Sequence, residues 1–581
     1  MVSTYFSYFA SLFFGLNRST LTICFVFFTC LVIYLSIKKL SKFRFPSISN
    51  LVPLALGIFV YVIFFISLYP AIFKSYNNLY VMGGPNWQDT AMHLSVIESL
   101  TQGNFPPQAP YFSGQPLSYY YFSDLHAAIV NIFYGNFFPR ILVILNPFFA
   151  MLFFFAVYAL CFELTRKRSY SAIAALASVF YGNLSFVVFF DKLRSSGLKF
   201  FTFVANNTFC TDKNYFKVTP MADYFLQNRP MMAGLSTLIV IILLLKKKKI
   251  LLAGLVTAFL IKFQMFGFMV AWIFFGFYIL IELFSKTIDF KKFFRNVLIF
   301  TLPSLIFLSS IIFTNVGERS MFQVLVQSFS WGPWQKHNLF WFILFGVLNL
   351  NIIFPLFLFS FLFKKNYKNN SLLPLYLTSF VIFLIPFLMR FTIYEFDMFK
   401  FFYYLVPLMC VLVATSFSKV RFKKSAFIVF ILLCIPVMLT SVILLTHSFF
   451  NKNIGYTFSD LSAGTWIRKN TPQKSVFITM PTVHSAVTDI GGRLRVISYN
   501  NWPYSHGFNY GSDNVFSRVK DVESVYQTGD VSLVKSKYNA NYIFLGLEEI
   551  SRFPNALKLL DRNTKLRKVY NLENIVIYEI F

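Results

Sequence analysis

Apolar residues fall along this chain in repeated runs, most of them long enough to span a bilayer as a helix. The runs cover roughly 2–16, 20–37, 51–73, 140–163, 169–190, 231–245, 250–264, 267–284, 296–314, 339–363, 372–390, 401–418 and 424–446. The first is short, and a polar break containing Gln264 separates two further short ones, so the pattern predicts 12 or 13 transmembrane helices. Short basic clusters punctuate the runs: "KKLSKFR" (38–44), "RKR" (166–168), "KKKK" (246–249), "KTIDFKKFFR" (286–295), "KKNYK" (364–368) and "KVRFKK" (419–424). With these placed in the cytoplasm, the alternation of spans closes. Residues 74–139, 191–230, 315–338, 391–400 and 447–581 then lie on the outer side.

From about residue 450 the period changes. "LSAGTWIRKNTP" reads as a helix stopped by Pro472. "SVFITM", "LRVISY" and "ANYIFLG" read as short strands, and "NVFSRVKDVESVYQ" and "DVSLVKSKY" as helices. "KLRKVYNL" and "IVIYEIF" close the chain as a strand pair. The expected architecture is a polytopic α-helical membrane protein, with a transmembrane part over 1–446 and an extracytoplasmic α/β domain over 447–581. The expected location is the plasma membrane, crossed many times.

Composition supports this class. Hydrophobic residues make up 57% of 581 positions, Phe occurs 80 times, and only 13% are charged. The net charge of +29 alone would suggest nucleic acid, but residues 452–581 carry only +5 of it. The rest sits in the clusters between spans, as an orientation signal with no recognition motif, so nucleic acid is not an expected partner. Contact with anionic lipid is a secondary reading of the same clusters. Of six cysteines, Cys24, Cys30, Cys161, Cys410 and Cys434 lie in apolar runs and Cys210 in a polar loop, which implies neither a disulfide framework nor a cysteine metal site. The apolar N-terminus leads into further spans and reads as an anchor, not a cleaved signal.

Polar chemistry gathers on one side. All six histidines (His93, His126, His337, His447, His484 and His506) fall on or near the outer face. The first outer loop holds Asp89, Glu98 and Asp124, three of only 12 acids before residue 452. In "PNWQDTAMHLSVIESL" a helix would place Asp89 and His93 four apart on one face. Pro and Gly breaks follow, then Tyr119, Tyr120 and Tyr121, then a second helix with Asp124 and His126. Gly83-Gly84 reads as a turn. As structural alternatives, Asp89 is a helix N-terminal acid complementing the dipole, and the tyrosines are interfacial anchors.

The runs "WQDTAMHLSVIESLTQGNFPP" and "YFSGQPLSYYYFSDLHAA" resemble the first outer loop of the GT-C superfamily of membrane glycosyltransferases, in particular its uncharacterised YYY-type (DUF2298-like) branch. "YEFDMFKFFYYLVP" (394–407) resembles that branch's late-helix segment, and "AGTWIRKNTPQKSVFIT", "PYSHGFNYGSDNVFSRVKDVESVYQTGD" and "KYNANYIFLGLEE" its outer domain. The resemblance implies a GT-C-like fold. It also implies a polyprenyl-phosphate sugar donor, an acceptor that is a glycan, a lipid or a protein, and inverting transfer at the outer face. Asp89 holds the position of the essential acid. Many members have two adjacent acids there, whereas this chain has Gln88-Asp89.

The chemistry agrees. Inverting transfer to a hydroxyl needs a base for the acceptor proton, for which Asp89, aided by His93, is the candidate. A leaving lipid phosphate needs cations, and Arg229, Lys262, Arg390 and Lys400 stand at outer helix ends. Tyr120, Asp124, His126 and His506 are further candidates for substrate contact. Asp89, His93, Asp124 and His126 would also suit a divalent cation, although spacing fixes no third ligand. Two other readings stay open: a transporter or flippase for a lipid-linked saccharide, and a non-catalytic glycolipid-binding or scaffolding envelope protein.

Overall fold

In lipid a helix satisfies its own backbone hydrogen bonds, so each long apolar run closes into one. The computed structural model of the chain describes residues 1–40, 48–117, 119–135, 137, 139–196, 215–312, 325–326, 338–363, 370–420 and 423–581. Among these, seven helices are long and apolar enough to cross a membrane: Arg18–Ile37, Leu51–Leu68, Ile141–Thr165, Arg229–Lys246, Met265–Phe284, Glu395–Phe417 and Lys424–Phe450. Four shorter apolar helices, Ile250–Phe263, Leu339–Leu350, Ile353–Leu362 and Leu373–Leu388, pack among them. The chain is a multi-pass α-helical membrane protein with a sheet-containing C-terminal region. Cys210, His337, most of the loop 315–338, the whole basic cluster at 364–368 and parts of those at 38–44 and 419–424 lie outside the described residues.

Helix Lys400–Phe417 is the bundle's core, buried almost from end to end. Neighbouring helices approach it where they lack side chains. A Cβ on Gly234 or Gly267 would come within 2.2 or 2.6 Å of the Tyr404 hydroxyl. Small residues at such contacts let membrane helices close up.

Three expected spans differ from the structure. The run 51–73 ends as helix at Leu68, and the chain turns into a hairpin of β1 (Ile72–Tyr76) and β2 (Leu79–Met82). Asn77 and Asn78 take the left-handed φ values of 49° and 62° that a tight two-residue hairpin demands. The run 169–190 is two helices, Arg168–Val179 and Phe186–Ser196. The run 339–363 breaks at Asn351. Broken helices leave backbone groups that apolar surroundings cannot pair, and asparagines supply the partners. Asn351 donates to the carbonyls of Gly182 and Pro436 at 2.9 and 3.0 Å. Asn349 donates to the Tyr215 carbonyl at 3.0 Å and accepts from the Val218 N–H at 3.1 Å. Asn183 donates to the Val218 carbonyl at 2.8 Å. The expected break at Gln264 is present; its side chain caps the next helix by accepting from the Phe266 N–H.

Beyond the short pair β3 (Leu325–Val326) and β4 (Met389–Arg390), the strands lie in two sheets. β5 (Ile454–Thr457) joins the β1–β2 hairpin. β6 (Val476–Ile478), β7 (Leu494–Arg495), β8 (Tyr542–Leu545), β9 (Leu566–Leu572) and β10 (Ile575–Ile580) form a sheet in the order β7-β6-β8-β10-β9. β6 runs parallel to β7 and β8, and β10 antiparallel to β8 and β9. "LRVISY" pairs over two residues only.

The C-terminal region is clamped to the loop after β2. Arg495 N–H donates to the Pro110 carbonyl, and Ser113 N–H to the Arg495 carbonyl, both at 2.9 Å. Buried Arg518 donates to the Ser113 carbonyl at 2.9 Å and lies 3.6 Å from the Phe112 ring centroid. Arg468 pairs with the fully buried Glu98 at 2.6 Å, and Asn131 donates to the same carboxylate at 2.9 Å. Burial pushes Glu98 up to about 7, against the pull of Arg468 and Asn131.

Candidate active site

A turn, two helices and the end of a third converge beneath the C-terminal region. The turn is Gly83-Gly84. Gly84 has φ +59°, and a Cβ on Gly83 would meet the Asn451 carbonyl oxygen at 2.3 Å. The Asn451 side chain accepts from the Gly84 N–H at 2.8 Å, which pins the turn to the end of the last span. A short 3₁₀ segment, Gly84–Trp87, then leads into helix Asp89–Thr101.

Asp89 is the first residue of that helix and half-buried. Burial raises its carboxyl above the ordinary range; His93 and Lys400 pull it down, and Asp397 adds a smaller push upward. His93 does not pair with Asp89 as the four-residue spacing suggested. Its Nδ1 bonds the Asp124 carboxylate at 2.9 Å, and its Nε2 is buried without a partner. Helix Phe122–Tyr134 supplies Asp124, whose other oxygen lies 3.2 Å from Arg229 Nε. Arg229 is wholly buried and donates to Asn146 at 2.7 Å and to the Ser123 carbonyl at 2.8 Å. Its guanidinium therefore braces the His93–Asp124 pair and is not presented to a phosphate at a helix end. Asp124, expected to contact substrate, is likewise enclosed, with its carboxylate between His93 and Arg229.

Lys400 opens the core helix. Its ammonium lies 2.7 Å from Asp397 and 3.3 Å from the Tyr120 hydroxyl. The tyrosine run is not an interfacial belt: Tyr119, Tyr120 and Tyr121 are all buried. Tyr119 lies between the histidines, with ring centroids 4.6 Å from His506 and 6.2 Å from His93. His506 Nδ1 bonds the Tyr111 hydroxyl at 2.8 Å. Burial, Lys400 and His93 push His506 down to about 3, so it is neutral at physiological pH.

The structure thus gathers Asp89, His93, Tyr120, Asp124, Arg229, Lys400 and His506. His126 turns aside to face Phe149, with ring centroids 6.3 Å apart. Arg390 is half-buried and 3.8 Å from Glu395. Lys262 lies in the last turn of helix Ile250–Phe263. No described contact brings these three to Asp89.

One acid here escaped the sequence reading. Asp223, in helix Met221–Gln227, is close enough to Asp89 that the two repel; burial first, then Asp89, push it up to about 7. Thr219 and Gln227 hold its carboxylate at 3.3 and 2.9 Å. The available signal was an acid six residues before Arg229 in a chain poor in acids. Among the described residues no three His, Cys, Asp or Glu side chains converge closely enough to hold a metal ion.

Residues 2–208 match the family described as "Uncharacterized membrane protein (DUF2298)". The DUF2298 match contains Asp89, His93, Tyr120, Asp124 and His126, while Asp223, Arg229, Lys400 and His506 follow it. Among solved structures the chain is similar to the Archaeoglobus fulgidus oligosaccharyltransferase in complex with Zn and sulfate, at 14% identity over 84% of this chain and 67% of that one, TM-score 0.48. It is also similar to ArnT from Cupriavidus metallidurans, in the apo state at 9% identity over 90% and 97% of the two chains, TM-score 0.49. For ArnT bound to undecaprenyl phosphate the figures are 10% identity, 92% and 98%, with TM-score 0.47. No curated protein matches the sequence.

Proposed function

We propose that the chain is a membrane glycosyltransferase that moves a monosaccharide from a polyprenyl-phosphate donor to an acceptor hydroxyl on the outer face, with inversion. One observation carries the reading. Asp89 is a half-buried carboxylate with its affinity for protons raised, set beside a buried cation, Lys400, where the bundle meets the C-terminal region. The resemblance of the first outer loop to that of GT-C enzymes supports it.

In the proposed step the acceptor oxygen bonds to the anomeric carbon as its proton passes to the Asp89 carboxylate. The bond between the anomeric carbon and the phosphate oxygen breaks, and the electron pair leaves with polyprenyl phosphate. A carboxylate whose pKa is raised is a better base than an ordinary one. Lys400 offsets the developing phosphate charge, with Asp397 and Tyr120 holding its ammonium in place. Arg229, Asp124 and His93 form a buried brace joining the two helices of the loop.

The test is release of free polyprenyl phosphate by purified protein in lipid, across a panel of polyprenyl-phosphate sugars. The proposal expects release with at least one donor and none from Asp89→Ala. Donor binding without release from any of them would favour the transporter or scaffold reading.

A further inference from the structure

The C-terminal sheet has its own crevice. From β6 the chain moves outward to β7; from β8 it moves the opposite way, to β10 and β9. Adjacent parallel strands whose connections diverge leave a gap at their carboxyl ends, the usual place for a ligand in open α/β sheets. A cavity of about 210 Å³ lies there. Thr479, Thr482 and His484 line it after β6, Gly546 and Glu549 after β8, and Asp460 from the facing helix.

The lining defines the ligand. Thr479 and Thr482 are fixed from behind by buried Arg495, whose Nε donates to the Thr479 hydroxyl at 2.6 Å and whose guanidinium reaches the Thr482 hydroxyl at 3.1 Å. Glu549 is set by the N–H groups of Met480 and Gly546 at 2.8 and 2.9 Å. His484 Nε2 is buried without a partner. Hydroxyls, a histidine and carboxylates suit a ligand rich in hydroxyl groups, and the carboxylates disfavour phosphate or another anion. The volume is below that of sites for drug-sized ligands and suits a single ring.

The crevice also adjoins the site already described. The His484 ring stands edge-on to Trp87, with centroids 4.4 Å apart. Trp87 is 39% exposed and two residues from Asp89, so part of its side chain is open on the way to the base.

We propose that this crevice binds one neutral sugar residue of a glycan acceptor, and that Trp87 supports the adjoining residue as it extends toward Asp89. Sugar binding stands on the crevice alone; its use as acceptor rests on the glycosyltransferase reading. The experiment titrates the full chain in detergent with methyl glycosides of neutral hexoses and short neutral oligosaccharides, following saturation-transfer NMR and tryptophan fluorescence. Saturable binding is expected, weakened about tenfold in His484→Ala, the loss of roughly one good hydrogen bond. It should vanish in Ser459→Trp, which puts a bulky ring into the lining, with the thermal midpoint unchanged. Asn574→Trp, in the β9–β10 turn that also lines the crevice, is the second blocking variant should that one not fold. The fluorescence change should disappear in Trp87→Phe. Absence of saturable binding, or binding equal in the blocked variants, overturns the proposal. Polyprenyl phosphate release without sugar binding sinks the crevice and spares the transferase; sugar binding in a chain that releases nothing does the reverse.

Discussion

Asp89 differs from an ordinary helix N-terminal acid in what surrounds it. A dipole-complementing carboxylate on a surface would be held in its ionised form. Here burial dominates, and the group holds its proton more tightly than the usual 3.8. Only the ionised form can accept the acceptor's proton. Release should therefore fall as pH drops, starting above the ordinary carboxylate range. Asp397→Asn removes a repelling charge and should shift that acid limb downward, whereas a base unrelated to Asp89 would leave the limb where it is. Lys400→Met should cost about 100-fold in kcat/KM, the usual effect of losing one preorganised charge partner, while the protein still inserts and folds. Asp89 and His93 stood out as candidates because their stretch resembles a known outer loop, and Lys400 because its stretch resembles a late-helix segment. Asp223 did not: its one signal, an acid six residues before Arg229, says nothing of Asp89, and only the fold brings the two together. The His93–Asp124 pair was hidden for the same reason: spacing along one helix pointed to Asp89, and the partner came from another helix.

At the scale of elements, apolar length located the spans well and their ends poorly. A run such as 169–190 reads as one helix by hydropathy, yet Gly182 and Asn183 break it. The asparagines in apolar runs were the available signal, because a buried amide is retained where it pairs otherwise orphaned backbone. The β1–β2 hairpin was hidden by its apolar start, which extends the preceding span. Two element contacts give tests. Arg468→Ala leaves Glu98 buried without its cation and should destabilise the docked C-terminal region by about 3 kcal/mol, read as faster amide exchange over residues 458–470. An equal exchange rate would mean that the pair contributes nothing. Gly234→Ala pushes a methyl group against Tyr404 and should cost about 1–3 kcal/mol by overpacking, seen as a lower thermal midpoint in detergent.

At the scale of the whole molecule, helices Arg229–Lys246 and Met265–Phe284 start beside the site, where Arg229 meets Asp124 and Phe266 meets Lys400, and end at the basic clusters 246–249 and 286–295, so the described residues are asymmetric along the bundle. That asymmetry predicts orientation. Cysteine introduced at exposed Ser536 should react with a membrane-impermeant maleimide in intact cells, and one at exposed Lys286 only after permeabilisation. The opposite pattern would put the site in the cytoplasm and remove the outer-face donor from the account. The packing of the C-terminal region onto the first loop brings His506 against Tyr119, whose ring also nears His93, although Asp89 and His506 are far apart in sequence. Their separate motifs were readable; the link through Tyr111 and Tyr119 was not, because it depends on how the two regions dock.

The most direct test of the central claim compares wild type with Asp89→Asn, an uncharged variant of nearly the same shape, for polyprenyl phosphate release in lipid over a pH series. The account predicts release by wild type that rises with pH and none from the variant at any pH, with donor binding retained in both. Equal release from Asp89→Asn would show that another group takes the proton and would contradict it.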